Sequence, residues 1–362
     1  MSRLSFASTV TILRGTLVLL AAAWLCPGAS ASETLPATDP RSIEATTVAT
    51  FPPYVPTQSV SGVIRIQGHG HVTLKWMERL LTLWEKGFQR FHPGVRLQQD
   101  MKGTSSAIPS LFTGAGDIAI LGEELDPAAA DAFARVKGYQ PTVIEIATGS
   151  LDVRNFDYAQ QFFVHKDNPI EQITFQQLDA MYSTTHARGG KAITKWGDLG
   201  LTGEWADKPI KLYGIKPWNG FEEFVRQRVL STAGKRGEWR EDIRFEKVVF
   251  PMAKDIAADR YGIGYSGMAY TDAPVKLVAL VEKEGDEPQA PSYENVALAT
   301  YPLSRLVFFN TNKAPGKPLN PVLEEFLRFV LSREGQQVVL DHARYLPLRA
   351  SQAASARALL GS

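Results

Sequence analysis

Residues 95–121 read VRLQQDMKGTSSAIPSLFTGAGDIAIL, and this stretch decides the fold class. It begins with a predicted strand, Val95 to Gln99, which the loop Gly103 to Ser106 connects to a short apolar helix. A glycine-containing turn then leads into a second strand, Asp117 to Leu121. Strands that alternate with helices in this way predict a mainly parallel sheet with helices on both faces.

The same alternation continues in both directions along the chain. Upstream, the strand Val63 to Ile66 precedes a helix whose apolar residues recur every three or four positions: Leu74, Met77, Leu81, Trp84, Phe88 and Phe91. Downstream, strands predicted at 142–147, 161–165, 210–213 and 306–309 alternate with helices predicted at 127–137, 174–182, 220–230, 321–331 and 336–342. We therefore predict an α/β protein with two lobes, each built on a mixed but mainly parallel sheet flanked by helices.

The domain organisation follows from breaks in this alternation. We expect a secretory signal peptide at 1–31, a flexible leader at 32–60, a first lobe at 61–150 plus 304–350, a second lobe at 151–303 and a C-terminal tail at 351–362. The leader is assigned because Ser, Thr, Pro and Ala dominate it without a sustained period.

The N-terminus has the features of a secreted chain. Arg14 precedes a short apolar run, and Ala29-Ser30-Ala31 has the small-x-small pattern of a cleavage site, which predicts a mature start near Ser32 and a periplasmic location. The run is too short for a transmembrane helix. Cys26, the only cysteine, lies in this segment. It is an alternative lipidation site, although its neighbours Trp24 and Leu25 are large.

Charge and composition exclude several classes of function. The chain has 39 basic and 38 acidic residues, and this balance argues against a nucleic-acid partner. A chain without cysteine after Ser32 has neither thiol nucleophiles nor cysteine metal sites. The zinc-protease, phosphate-loop and nucleophile-elbow motifs are also missing from the sequence.

Four glycine-containing loops stand before helices and carry the candidate ligand groups. They are Gly68–Val72, Gly103–Ser106, Leu121–Glu124 and Lys216–Phe221. A helix start exposes unpaired N–H groups and a partial positive charge, which suits a small oxyanion, although glycine and hydroxyl residues also simply cap helices. Within the loops, side-chain donors are available from His71, Thr104, Ser105, Ser106 and Asn219, and Glu123 could accept from a protonated phosphate.

Two other features of these loops have alternative interpretations. His69 and His71 suggest a metal site, but alternation along an extended segment would place the rings on opposite faces, and we predict no metal and no cofactor. Trp218 could line a cleft beside Asn219, whereas the other tryptophans of the second lobe are expected to pack in the core or between lobes.

The loops and the C-terminal blocks together resemble the phosphate-binding proteins of bacterial ABC importers, which have the type II periplasmic binding fold. The similar blocks occur in the family's order: Gly68–Val72, Lys102–Ser106, Gly116–Ala119, Tyr261–Tyr265, Tyr301–Arg305, Ser332–Gln336 and Tyr345–Leu348. The resemblance implies two interlobe crossings, near 148–160 and 299–306, a ligand held between the lobes, an ABC permease partner and a monomeric protein without enzymatic activity.

The resemblance also implies which residues contact the ligand. Carried over by position, these are His71 and Val72 in the first loop, Thr104 and Ser105 in the second, Gly122 and Glu123 in the third, and Asn219, Gly220 and Phe221 in the fourth. The fourth loop departs from the family, because Ile215 stands at the position of an arginine and Phe221 at that of a threonine. A bidentate guanidinium and a hydroxyl are therefore missing.

Three functions remain open at this point. The first is the capture of phosphate or a related oxyanion for import. The second is the same fold with a changed ligand, an organic anion or a neutral solute, enclosed by Trp218 and Phe221. The third is a phosphate-handling hydrolase with His71 as base or nucleophile, which lacks an evident carboxylate to orient the imidazole.

Overall fold

Two five-stranded sheets form the framework of the protein. The structure is a computed structural model and describes residues 40–68, 75–122, 124–148, 159–217, 220–232, 234–247, 251–267, 273–342 and 345–361. Each sheet has its own hydrophobic core. No helix within these ranges combines the length and apolar character needed to cross a bilayer.

The first sheet has the strand order β2-β1-β3-β12-β4. Its strands are β1 (Gly62–Gly68), β2 (Val95–Asp100), β3 (Ile118–Leu121), β4 (Thr142–Thr148) and β12 (Leu306–Thr311). β1 pairs in parallel with β2 and β3, whereas β12 runs antiparallel between β3 and β4. The helices of this lobe are α2 (Trp76–Gln89), α3 (Thr104–Thr113), α4 (Pro127–Lys137), α9 (Pro321–Val330) and α10 (Arg333–His342).

The second sheet has the order β10-β5-β9-β7-β8. Its strands are β5 (Gln160–His165), β7 (Lys211–Ile215), β8 (Arg244–Glu246), β9 (Gly262–Gly267) and β10 (Val275–Leu277), and a small parallel pair, β6 (Gln172–Thr174) and β11 (Ala279–Val281), lies beside it. Its helices are α5 (Phe175–Tyr182), α6 (Gly220–Val225), α7 (Met252–Ala258) and α8 (Tyr293–Ala297). A π-helical turn, Arg226–Leu230, continues α6.

The strands and helices confirm the predicted α/β class with mixed sheets. In α2, the predicted periodicity places Met77, Leu81, Trp84 and Phe88 in the core of the first lobe. The Trp84 indole N–H donates to the carbonyl of Gly335 at 2.8 Å, so that this large buried side chain has its one donor satisfied.

The chain passes between the two sheets twice. It leaves the first sheet after β4 and enters the second at β5, and it returns between α8 and β12. The two passages are in contact, because the Gln160 N–H donates to the Leu303 carbonyl at 3.1 Å. The exact lobe boundaries that we predicted from the sequence remain predictions.

Both ends of the described chain are more ordered than the flexible leader and the tail that we expected. Residues Pro40–Ala49 form a helix, α1, and Val48, Phe51 and Tyr54 are buried. At the other end Ala350–Ala358 form α11, whose Ala353 and Ala356 belong to the first core together with Leu360. The sequence analysis predicted neither helix because it weighed composition alone, whereas a few apolar contacts suffice to hold a helix against an existing core.

Candidate ligand-binding site

One edge of the first sheet brings together the loops that we singled out in the sequence. Because β1, β2 and β3 are parallel, the segments that follow Gly68, Asp100 and Leu121 leave the sheet at the same edge. The Gly103 N–H donates to the Gly68 carbonyl at 2.9 Å and so fastens the second loop to the first. The antiparallel β12 begins at this edge, which places the preceding residue, Arg305, there as well.

Glycine is required at the base of the first loop. Gly68 has φ +136°, and a Cβ atom there would lie 2.2 Å from the Ile120 carbonyl oxygen of β3. Gly103, at the start of α3, has φ +119°. The Ser106 hydroxyl donates to the Gly103 carbonyl at 2.9 Å, so this serine holds the helix start rather than pointing a donor at a ligand.

The fourth loop lies at the corresponding edge of the second sheet. β7 ends at Ile215, α6 begins at Gly220, and the antiparallel β5 starts at this edge with Gln160. Ile215 is fully buried in the second core, and its N–H donates to the Tyr265 hydroxyl at 3.3 Å. The position at which the family has an arginine is therefore a packing position in this chain.

The structure describes only some of the predicted contact residues. His71, Val72, Glu123 and Asn219, together with the neighbouring His69 and Trp218, lie outside the described residues. Thr104 and Ser105 form the first turn of α3, and Gly220 begins α6. Phe221 packs half-buried against the second core, and Gly122 accepts hydrogen bonds through its carbonyl. Their roles in binding a ligand remain predictions.

Arg305 is a candidate site residue to which sequence analysis gave no role. Its guanidinium donates to the Gly122 carbonyl through Nε at 3.2 Å and Nη2 at 2.9 Å. The same group lies 4.8 Å from the ring centroid of Phe224 in α6. The arginine is 4% exposed. A signal was present in the sequence, because a charged residue immediately before an apolar strand must find partners when that strand is buried.

A second arginine also lies between the lobes. Arg228 Nη2 donates to the Pro302 carbonyl at 3.1 Å, and its guanidinium lies 3.8 Å from Glu124 and 3.6 Å from Glu282. Burial and the nearby charge of Glu124 raise the pKa of Glu145 in β4. The interlobe side of the third loop is thus rich in charged groups of both signs.

Several buried polar side chains at the two crossings have no hydrogen-bond partner among the residues that the structure describes. They are Gln160, Gln161, Tyr301 and Ser304, all less than a tenth exposed. Buried amides and hydroxyls that stay unpaired lower the stability of a fold, whereas beside a cleft water or a bound ligand can pair with them.

The described residues contain no group of three or more metal-binding side chains. Two sheets joined by two crossings face each other at the edges where the candidate loops leave them. Helix N-termini, glycine turns and buried polar groups meet there. Such an arrangement can enclose and hydrogen-bond a small ligand between two lobes.

Fold and cleft define the class of protein as a two-lobed binding protein, and residues 61–334 match the model of the PBP superfamily domain. Within that class, the chain belongs to the PstS family of phosphate-binding proteins. It is 35% identical over 345 residues to the phosphate-binding protein PstS of Pseudomonas aeruginosa, an alignment that covers 95% of this chain and 98% of the relative. A PstS from Staphylococcus epidermidis is 25% identical over 269 residues, 72% of each chain.

Solved structures agree on the fold. PstS from Borrelia burgdorferi superposes with a TM-score of 0.58 at 16% identity, covering 80% of this chain and all of the other. A possible phosphate-binding protein from Planctomyces limnophilus gives a TM-score of 0.52 at 20% identity, covering 83% of this chain and 98% of the other. The prediction of the family and of its two-lobed fold is confirmed.

Proposed function

We propose that this protein captures phosphate in the cleft between its lobes and delivers it, without turnover, to an ABC importer in the bacterial envelope. The observation that carries the proposal is the 35% identity to a phosphate-binding protein over 95% of the chain. The geometry supports it, because the first three loops meet at one sheet edge and the start of α6 lies at the edge of the other sheet.

The proposed contacts are the sequence-predicted ones. Backbone N–H groups at the starts of α3 and α6 would donate to phosphate oxygens, and Thr104 and Ser105 would add hydroxyl donors. Glu123 would accept from a protonated phosphate oxygen, a contact that sulfate, fully deprotonated at neutral pH, cannot provide. The mature protein would begin near Ser32 and act in the periplasm.

One observation favours a second candidate, a related but different anionic ligand. Ile215 is a core residue, so the fourth loop offers no guanidinium at the family's arginine position. Loss of a charge-assisted contact weakens binding by about one to two decades unless another group compensates. An organic phosphate or another organic acid could regain the lost binding free energy through apolar contacts, for example with Phe221, the second residue of α6.

The experiment is titration calorimetry of the chain that begins at Ser32, with phosphate, arsenate, sulfate and organic phosphates. We expect saturable binding of phosphate, no binding of sulfate and no release of phosphate from esters. In a parallel thermal-shift assay, phosphate at about 100 times its dissociation constant should raise the free energy of unfolding by roughly 2.7 kcal/mol.

Two variants of α3 give a matched comparison. Thr104→Val removes a hydroxyl at the helix start, whereas Thr113→Val removes one at the other end of the same helix, where the hydroxyl donates to the Pro109 carbonyl at 2.8 Å. Only Thr104→Val should weaken phosphate binding, by about tenfold. A folded protein that binds no phosphate, or binds an organic acid better, would contradict the phosphate assignment.

A further inference from the structure

Arg305 joins the two lobes at the base of the cleft. Its partner in the first lobe is the Gly122 carbonyl, at the end of β3, and its partner in the second lobe is the ring of Phe224, one turn after the start of α6. It stands on the second crossing, immediately before β12. One buried side chain on the second crossing therefore contacts both the third loop and the helix that follows the fourth loop.

We propose that Arg305 is a positioning residue that couples closure of the lobes to the geometry of the third loop, and so sets the affinity for phosphate. The proposal rests on the proposed function for its ligand, but its interlobe role can be measured without one.

The contact requires an arginine. Two N–H groups in one plane point at a single carbonyl oxygen, while the central carbon of the same guanidinium lies 4.8 Å from the centroid of the Phe224 ring. A lysine has one compact ammonium group and cannot make both contacts in this geometry. Holding the Gly122 carbonyl fixes the orientation of that carbonyl group in the third loop, and Gly122 is itself a predicted ligand contact.

The two contacts respond differently to a movement of the lobes. The hydrogen bonds to Gly122 lie within the first lobe and its crossing, whereas Phe224 belongs to the second core. Opening the cleft would separate the ring from the guanidinium and expose the buried charge to water. In the arrangement seen here the charge is desolvated, so the Phe224 contact contributes more than it would in water.

The test uses the chain that begins at Ser32, which contains no cysteine because the single Cys26 precedes it. Val136→Cys in α4 and Leu277→Cys in β10 introduce label sites that are 59% and 38% exposed, one in each lobe. Spin labels at these two sites report the interlobe distance by pulsed EPR, with and without inorganic phosphate. Calorimetry on the unlabelled variants gives the dissociation constant.

Arg305→Met and Arg305→Lys are the variants, and Arg357→Met is the matched control. Arg357 also donates to a backbone carbonyl, that of Leu331 at 2.9 Å, but it belongs to α11, which packs on the first core. We expect Arg305→Met to raise the dissociation constant for phosphate by about 10- to 100-fold and Arg305→Lys to recover part of the loss, with Arg357→Met within about twofold of the parent. The ligand-free distance distribution should broaden in Arg305→Met alone.

The outcomes separate the two proposals. If the parent protein binds phosphate, and Arg305→Met has the same dissociation constant and the same interlobe distances as the parent, the inference is overturned and the proposed function stands. If the folded parent binds no phosphate, the proposed function fails, and the ligand-free distance decides on Arg305: a broadened distribution in Arg305→Met supports the interlobe role, and an unchanged one overturns it.

Discussion

Two buried glutamines show how differently the same side chain is used in this protein. The Gln336 amide donates to the carbonyls of Ile146 at 3.0 Å and Val330 at 2.9 Å and accepts from the Leu348 N–H at 2.8 Å. It therefore ties together three segments of the first lobe. Gln160, equally buried at the start of β5, has no partner for its amide oxygen or its amide nitrogen within the described parts of the chain. We expect the first amide to stabilise the fold and the second, if it stays unpaired, to lower its stability.

Leucine at the two positions should therefore have opposite effects. Gln160→Leu removes two unpaired polar atoms, so the free energy of unfolding should stay the same or rise by about 1 kcal/mol. Gln336→Leu leaves two carbonyls and one N–H unpaired and should cost about 3 kcal/mol or more. Urea denaturation of both variants measures this difference. A loss above about 2 kcal/mol in Gln160→Leu would show that the amide is paired in solution.

At the scale of elements, a buried polar network holds the segment after α1 against the first lobe. The Tyr54 hydroxyl donates to Glu325 in α9, and Thr57 donates to the same carboxylate through its N–H at 3.0 Å. His92 Nε2 lies 2.8 Å from the Tyr54 oxygen, and its Nδ1 accepts from the Val60 N–H at 3.3 Å. Because the Tyr54 hydroxyl donates its hydrogen bond to Glu325, its oxygen acts as the acceptor for His92. The hydrogen bonds therefore assign a neutral imidazole whose proton is on Nε2 and whose Nδ1 is the acceptor.

This network predicts the direction of a pH effect on stability. Burial lowers the pKa of His92 below its usual value near 6.5. Protonation of Nδ1 would place two donors, Val60 N–H and the new imidazole N–H, against each other. Because the folded-state pKa is the lower one, the unfolded chain binds the proton first, and stability falls as pH decreases below about 6.5.

Urea denaturation between about pH 7.5 and 5 should show this loss, with a slope from His92 of up to about 1.4 kcal/mol per pH unit. His92→Gln, which cannot titrate, is the control and should have a flatter profile in the same range. Equal slopes in the two proteins would contradict the assignment of the pH effect to His92.

Many of the strands and helices followed from the sequence, whereas the contacts between them did not. The apolar periodicity of its sequence predicted α2, because a helix with one buried face leaves such a repeat. Short apolar segments predicted the strands β1, β2, β3 and β12. The helices α1 and α11 were missed because composition outweighed a weak pattern. Arg305 lies in a block that resembles the family, but its contacts could not be predicted, because its partners Gly122 and Phe224 are distant in the chain and meet only in three dimensions. The blocks were sufficient to identify the family.

On the scale of the whole molecule, α1 is connected to both lobes through a buried carboxylate. Glu44, in this helix, is 2% exposed and accepts from Arg349 Nη1 at 2.7 Å in the C-terminal part of the first lobe and from the Tyr293 hydroxyl at 2.6 Å in α8 of the second. Arg349 Nη2 also donates to Glu294 at 3.2 Å. One buried carboxylate thus connects three segments that belong to both lobes.

Removing this carboxylate should weaken the whole protein. Glu44→Ala leaves the nearly buried Arg349 with only its exposed partner Glu294, and the free energy of unfolding should fall by about 3 kcal/mol. A chain that begins at Phe51 should lose at least as much. Denaturation of both, compared with the chain that begins at Ser32, measures the effect. An unchanged midpoint would show that α1 is dispensable for the fold.

The position of β12 has a consequence for biosynthesis. This strand forms the ladder between β3 and β4, although more than a hundred residues separate it from either in the chain. A nascent chain that ends before residue 306 has only an incomplete first sheet, with β3 and β4 unpaired on their facing sides. Pairings between distant segments form slowly. Until β12 has been translated, the first sheet therefore stays incomplete and the polypeptide that precedes it stays partly unfolded.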